Sequence, residues 1–162
     1  MTINGSDFWR SNYYKHPPLT DAMILLAEAA LAVRLPRTLL DLLRIQNGGY
    51  TNNVAHPMRQ RTTWAEDHVP LHELFGIVTE PDHKTAQNML LTEYITKEWG
   101  LPPRQVLLAG DGHYWVTLDY RCGAEPSVGW IDTECGEDMQ IAPSFDVFLA
   151  GLVPASIYDE AQ

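Results

Sequence analysis

The feature that most constrains this chain is a change of hydrophobic period. The first half repeats its apolar residues at helical spacing, whereas the last third alternates them residue by residue. The late segments Val106 to Ala109, His113 to Tyr120, Ser127 to Glu134 and Met139 to Ala142 are short and rich in β-branched and aromatic residues. Gly, Pro and charged turns separate them, which predicts a meander of antiparallel strands.

Upstream, Thr20 before Asp21 and the apolar run from Ala22 to Val33 predict a capped core helix that stops where Leu35-Pro36 forbids continuation. Pro36 opens a second helix with Leu39, Leu40, Leu42, Leu43 and Ile45 at helical spacing, and Asn47-Gly48-Gly49 supplies a left-handed residue to close it. Tyr50 to Asp67 loses periodicity and reads as an exposed loop carrying Asn52, Asn53, His56, Arg59 and Arg61. Trp64 to His68 leads toward a strand predicted at Leu74 to Val78, then a helix over Thr85 to Trp99 ended by Gly100, and Pro143 to Leu152 closes as a helix. Helices grouped early and strands grouped late predict an α+β fold, a mostly antiparallel central sheet flanked by helices. At 162 residues, 45% hydrophobic, the length suits one domain over 1–162.

Eleven basic against 21 acidic residues leave a formal charge of −10. That balance argues against direct nucleic-acid binding, which needs clustered Lys and Arg, and favours a basic partner if it does more than keep the protein dispersed. The start, MTINGSDFWR, has no basic segment followed by an apolar core, and the longest apolar run is broken by Glu28 and too short for a bilayer. The expectation is a cytoplasmic protein without membrane attachment. Cys122 and Cys135 form no CxxC pair and read as reduced thiols. His68 and His72 stand four apart, but Pro70 lies between them, so they cannot serve as two ligands on an uninterrupted zinc helix. With neither a Walker nor a GxGxxG loop present, no metal and no cofactor are expected.

Chemistry-bearing residues concentrate between Leu107 and Glu134. Gly110-Asp111-Gly112-His113 between two strand patterns reads as a tight hairpin turn. The next strand divides into an apolar face of Tyr114, Val116 and Leu118 and a mixed face of His113, Trp115, Thr117 and Asp119. Trp130, Asp132 and Glu134 share one face of the following strand, so pairing across Arg121 to Pro126 could merge the two into an aromatic and acidic surface. A small hydrolase using His113 with Asp111 or Asp119 is a minor alternative to binding.

Taken in order, PPLTDAMILLAEAALAVRLPRTLLDLLRIQNGGY, WAEDH, GDGHYWVTLDYR, EPSVGWIDTE and IAPSFDVFLAGL resemble the SUKH superfamily, the Smi/Knr cell-wall-assembly-regulator type of domain. The resemblance implies an α+β fold and, for bacterial members, a non-enzymatic immunity protein that binds and neutralises a cognate toxin, often a nuclease. For fungal relatives it implies a regulatory hub in cell-wall synthesis with added disordered segments, which this sequence lacks. The family's recurrent positions fall here on Asn47, Gly48, Gly49, Trp64, Asp67, Gly110, Asp111, Asp119, Tyr120, Asp132 and Glu134. Of these, Asn47, Gly48, Gly49, Gly110, Asp111 and Tyr120 are expected to specify the fold. Trp64, Asp67, Trp115, Asp119, Trp130, Asp132 and Glu134 are the candidate partner-binding residues, facing a toxin with a basic surface. A scaffold that recruits cellular proteins is the alternative.

Overall fold

The computed structural model describes residues 5–80 and 87–161. A single turn of helix, α1 (Gly5–Phe8), runs into a short strand, β1 (Trp9–Ser11). Helix α2 (Asp21–Leu31) begins as the sequence predicts: Thr20 is extended and its hydroxyl accepts the Met23 N–H at 3.2 Å. It stops earlier than Leu35-Pro36, at Ala32, whose φ of 58° turns the chain out of the helix while its N–H bonds to the Glu28 carbonyl. Nor is it a core helix throughout. Ile24 and Ala27 are buried, but Leu25 and Leu26 are 68% and 59% exposed, so α2 is apolar on a face that nothing in the described chain covers.

Helix α3 (Arg37–Ile45) follows Pro36 and buries Leu39, Leu42 and Leu43. A left-handed glycine does not close it, because Gln46 is extended at φ −149°. Gly48, at φ 89°, instead makes the turn toward the next strand and passes so close to Gly76 that a Cβ on it would lie 2.6 Å from the Gly76 nitrogen.

The segment expected as a loop from Tyr50 is strand β2 (Gly49–Pro57), and β3 (His68–Leu74) pairs with it antiparallel from Gly49↔Leu74 to Pro57↔His68. The other edge of β2 takes β1 near Tyr50 and Thr51, and farther along takes β8 (Val153–Pro154) at Val54 and Ala55. Neighbours on both edges, rather than its own apolar content, make β2 a strand, and for that reason its periodicity is weak. The irregular loop is therefore only 58–67.

The strand expected over Leu74 to Val78 lies earlier and ends at Leu74. Residues 75–78 are buried without a ladder, so their backbone groups need other partners. The Phe75 N–H donates to the Leu108 carbonyl at 2.7 Å, joining the first sheet to the second. The Gly76 N–H donates to the Gln87 carbonyl at 3.2 Å and its carbonyl accepts the Met89 N–H at 2.9 Å, while Asn47 serves Ile77. The Asn47 Oδ1 accepts the Ile77 N–H, and its Nδ2 donates to the carbonyls of Ile77 and Pro17, all at 2.8 Å. Asn88 does the same for Val78, accepting its N–H at 3.1 Å and donating to its carbonyl at 3.0 Å.

A 3-10 turn at Met89–Leu91 precedes α4 (Thr92–Trp99), which Gly100 ends at φ 67°. Thr85 and Ala86, where the sequence placed the start of this helix, lie outside the described residues. The predicted meander is present as β4 (Gln105–Gly110), β5 (Trp115–Asp119), β6 (Ser127–Asp132) and β7 (Glu137–Ala142), antiparallel in chain order. Helix α5 (Phe145–Gly151) is capped by the Ser144 hydroxyl on the Val147 N–H at 3.1 Å. The result is an α+β fold of two antiparallel sheets with helices packed on them, and Phe8, Leu39, Leu43, Phe75, Trp130 and Phe148 are among the fully buried side chains between the layers.

Because Asn47 satisfies both buried backbone groups of Ile77 and the half-buried Pro17 carbonyl, Asn47→Ala is expected to lower the unfolding free energy by about 3 kcal/mol. Urea unfolding followed by far-UV circular dichroism measures this. A loss no larger than that of the exposed Asn52→Ala would contradict the staple.

Candidate functional site

The geometry of the site follows from one loop length. Seven residues, Tyr120 to Pro126, join β5 to β6 and pair Asp119 with Ser127, so odd-numbered residues of one strand face odd-numbered residues of the other. Trp115 lies opposite Ile131 and Trp130 lies opposite Val116. Directly paired residues share a face, so Trp115 and Trp130 are on opposite sides of the sheet and the expected merging of their faces does not occur. Neither is a surface residue: Trp115 is 5% exposed and Trp130 is fully buried.

What reaches the surface instead is a stack led by Tyr114, which the sequence pattern assigned to the apolar face. Its ring stacks on Trp130 with centroids 4.7 Å apart and planes 10° apart. Trp64, from the loop 58–67, meets the outer side of Tyr114 edge-on at 5.5 Å and His72 of β3 at 5.7 Å. Trp64 is 45% exposed, so the column runs from the core to solvent. Burial, then the nearby Asp111 and Glu73 carboxylates, push the Tyr114 phenol up, which keeps its hydroxyl a donor.

Thr63 clamps the loop to the far end of the sheet. Its hydroxyl donates to Asp132 Oδ2 at 2.6 Å and its N–H to Glu137 Oε1 at 2.8 Å, and the same Glu137 oxygen accepts Trp130 Nε1–H at 3.0 Å. Asp132 is buried and also accepts the Cys135 N–H at 3.2 Å, so it positions the β6–β7 turn rather than meeting solvent. That turn presents Glu134, 63% exposed. Opposite it stands the hairpin at Gly110 to His113, where Asp111 Oδ1 accepts the His113 N–H at 3.0 Å as the turn reading requires. Gly110 is obligatory there, since a Cβ would lie 2.2 Å from the Trp115 ring. Together Trp64, Tyr114 and Trp130 with Asp111, Asp132 and Glu134 line a cleft of about 290 Å³.

Other sequence candidates fall elsewhere. Asp119 is at the opposite end of β5, where Arg121 bridges it to Asp138 at 2.8 Å on each side and Gln105 Nε2 donates to it at 2.8 Å. Asp67 pairs with His68 at 2.8 Å, and the His68 ring stacks on Tyr158 at 3.8 Å, away from the cleft. Tyr120 is buried and donates its hydroxyl to the Arg34 carbonyl at 2.6 Å, stapling the end of β5 to the α2–α3 connection. The hydrolase pairing is not assembled: Asp111 bonds the backbone of His113, Asp119 is far off, and the His113 ring faces Glu134 at 3.9 Å. Among the described residues no three His, Cys, Asp or Glu side chains are grouped to hold a metal, and no helix is long and apolar enough to cross a membrane.

Burial raises the Asp119 carboxyl, but hydrogen bonds from the Arg121 guanidinium and N–H and from Gln105 outweigh it and hold the group below its ordinary value. Such a carboxylate stabilises the fold above its unfolded pKa, and the contribution is lost as pH falls through the folded one. Asp119→Asn is therefore expected to lower unfolding free energy by about 2 kcal/mol at neutral pH. The gap to the parent protein should close below about pH 4, and urea unfolding across a pH series would show it. A gap unchanged with pH would refute the role of the ion pair.

The model of the SMI1 / KNR4 family (SUKH-1) matches residues 18–151, which takes in every element from α2 to α5 and the whole cleft. No curated protein matches the chain. The chain belongs to the SMI1/KNR4 family (SUKH-1).

Proposed function

We propose that this protein acts by binding another protein, without turnover of a substrate, and that its partner is a cognate toxin with a basic surface, possible toxins including nucleases, which it neutralises by covering the active groove. The observation that carries this reading is the aromatic column Trp64–Tyr114–Trp130, open to solvent at Trp64 and bordered by the exposed carboxylates of Asp111 and Glu134. An exposed tryptophan backed by a rigid stack loses little entropy on binding and supplies the anchor that dominates small interfaces. Carboxylates around it suit the Lys and Arg that a phosphate-handling groove must carry. The chain's net charge of −10 would speed encounter with such a partner.

Titration calorimetry and stopped-flow binding against any toxin domain encoded beside this gene test the reading. Asp111→Lys with Glu134→Lys is expected to weaken binding at least a hundredfold, largely through slower association at low salt, and Trp64→Ala to weaken it about tenfold through faster dissociation. All three side chains are exposed, and because Asp111 also accepts the His113 N–H, far-UV circular dichroism of each variant should first match the parent. Unchanged affinity in the double charge reversal would overturn the proposal.

A further inference from the structure

The exposed face of α2 borders a second recess, largely apolar and carrying arginines, which the acidic cleft lacks. Leu25, Ala29 and Ala32 lie along one side of the helix, and with Val33 they form one wall. Tyr120 and the β5–β6 loop at Gly123 and Ala124 form the other, enclosing about 550 Å³, the larger of the two recesses. A lining this apolar beside Leu25 and Leu26, both more than half exposed, is an unpartnered docking face on a protein otherwise rich in charge.

Two arginines stand at the rim. Arg34 and Arg104 are exposed, and neither joins an ion pair among the described residues. Tyr120 holds the Arg104 side chain and the Arg34 backbone. The Arg104 Nε–H donates to its carbonyl at 3.0 Å, leaving the terminal guanidinium nitrogens available, and the Arg34 carbonyl accepts its hydroxyl. Glu28 in the lining is half-buried and accepts the Leu35 N–H at 2.7 Å, and the exposed Glu125 carboxylate also lies near Tyr120.

We infer that this recess is a second protein-docking site, taking an apolar peptide segment of a partner protein that carries a carboxylate beside its apolar residues. Charge complementarity selects this occupant. Two arginines in an otherwise apolar lining suit a planar anion, while a net charge of −10 disfavours a strongly acidic chain and equally a second copy of this one. Tyr114 beside the acidic cleft and Tyr120 in this recess flank opposite ends of β5, roughly 20 Å apart at about 3.3 Å per residue. Both sites can therefore be filled at once, and the inference does not rest on the toxin reading.

Selection of a random dodecapeptide display library on the whole protein tests it, followed by anisotropy titration of the enriched peptides. One enriched class is expected to combine Leu, Ile, Val or Phe with a single Asp or Glu. Leu25→Glu should abolish binding of that class, and Arg34→Glu should weaken it at least tenfold while letting a Lys-for-Glu version of the same peptide bind instead. Basic peptides that depend on Asp111 and Glu134 should survive both changes. Failure to enrich the apolar–acidic class would overturn the inference, as would its persistence in Leu25→Glu. Concentration-dependent dimerisation of the parent in sedimentation, lost in Leu25→Glu, would overturn it too by showing that a second copy covers the face.

Discussion

The pairing register of β5 and β6 is the constraint on which the rest of the structure depends. An odd connection puts Trp130 on the same face as Val116 and, one step beyond the strand, beneath Tyr114. A shift of one residue would exchange the two sides of the sheet, moving Trp130 out of its stack and breaking its bond to Glu137. Thr63 could not then reach Asp132 and Glu137 together, and Trp64 would lose its place over Tyr114. The network of Gln105, Thr117, Asp119, Arg121 and Asp138 holds that register from the other end, with Thr117 donating to Gln105 at 2.6 Å and Arg121 reaching across to β7.

The elements most legible in the sequence are those whose cause is local. Thr20 and Ser144 cap helices because their hydroxyls meet nearby N–H groups, and the four late strands announce themselves by composition. β2 was hidden because its stability comes from β1, β3 and β8, none adjacent to it in a hairpin tight enough to read. Residues 75–78 misled for the opposite reason: they are as apolar as a strand, yet Asn47 and Asn88 side chains replace the ladder.

The site was legible in part. Alternation groups Asp132 and Glu134 on one face and the loop Trp64 is conspicuous, whereas Asp111 reads only as a turn residue that specifies the fold. The opposite faces of Trp115 and Trp130 are not legible strand by strand, because the seven residues of the β5–β6 loop set the parity. Tyr114, Thr63 and Glu137 were missed because their roles depend on a fold-back of 58–67 that no local pattern encodes. The polar residues split into two kinds: Asp119 and Asp132 are spent on internal bonds, whereas Asp111 and Glu134 remain open at the surface and can answer to a partner.

On the proposed function, this division makes the mouth around Trp64 the place where the partner docks. The most direct measurement is an NMR shift map of the isotope-labelled protein as the cognate toxin domain is added. The largest changes are expected at the Trp64 indole N–H, at the amides of 111–113 and at those of 133–134, with the Asp119–Arg121–Asp138 region unmoved. Changes confined to other surfaces, with the Trp64 indole unshifted at saturation, would contradict that docking place.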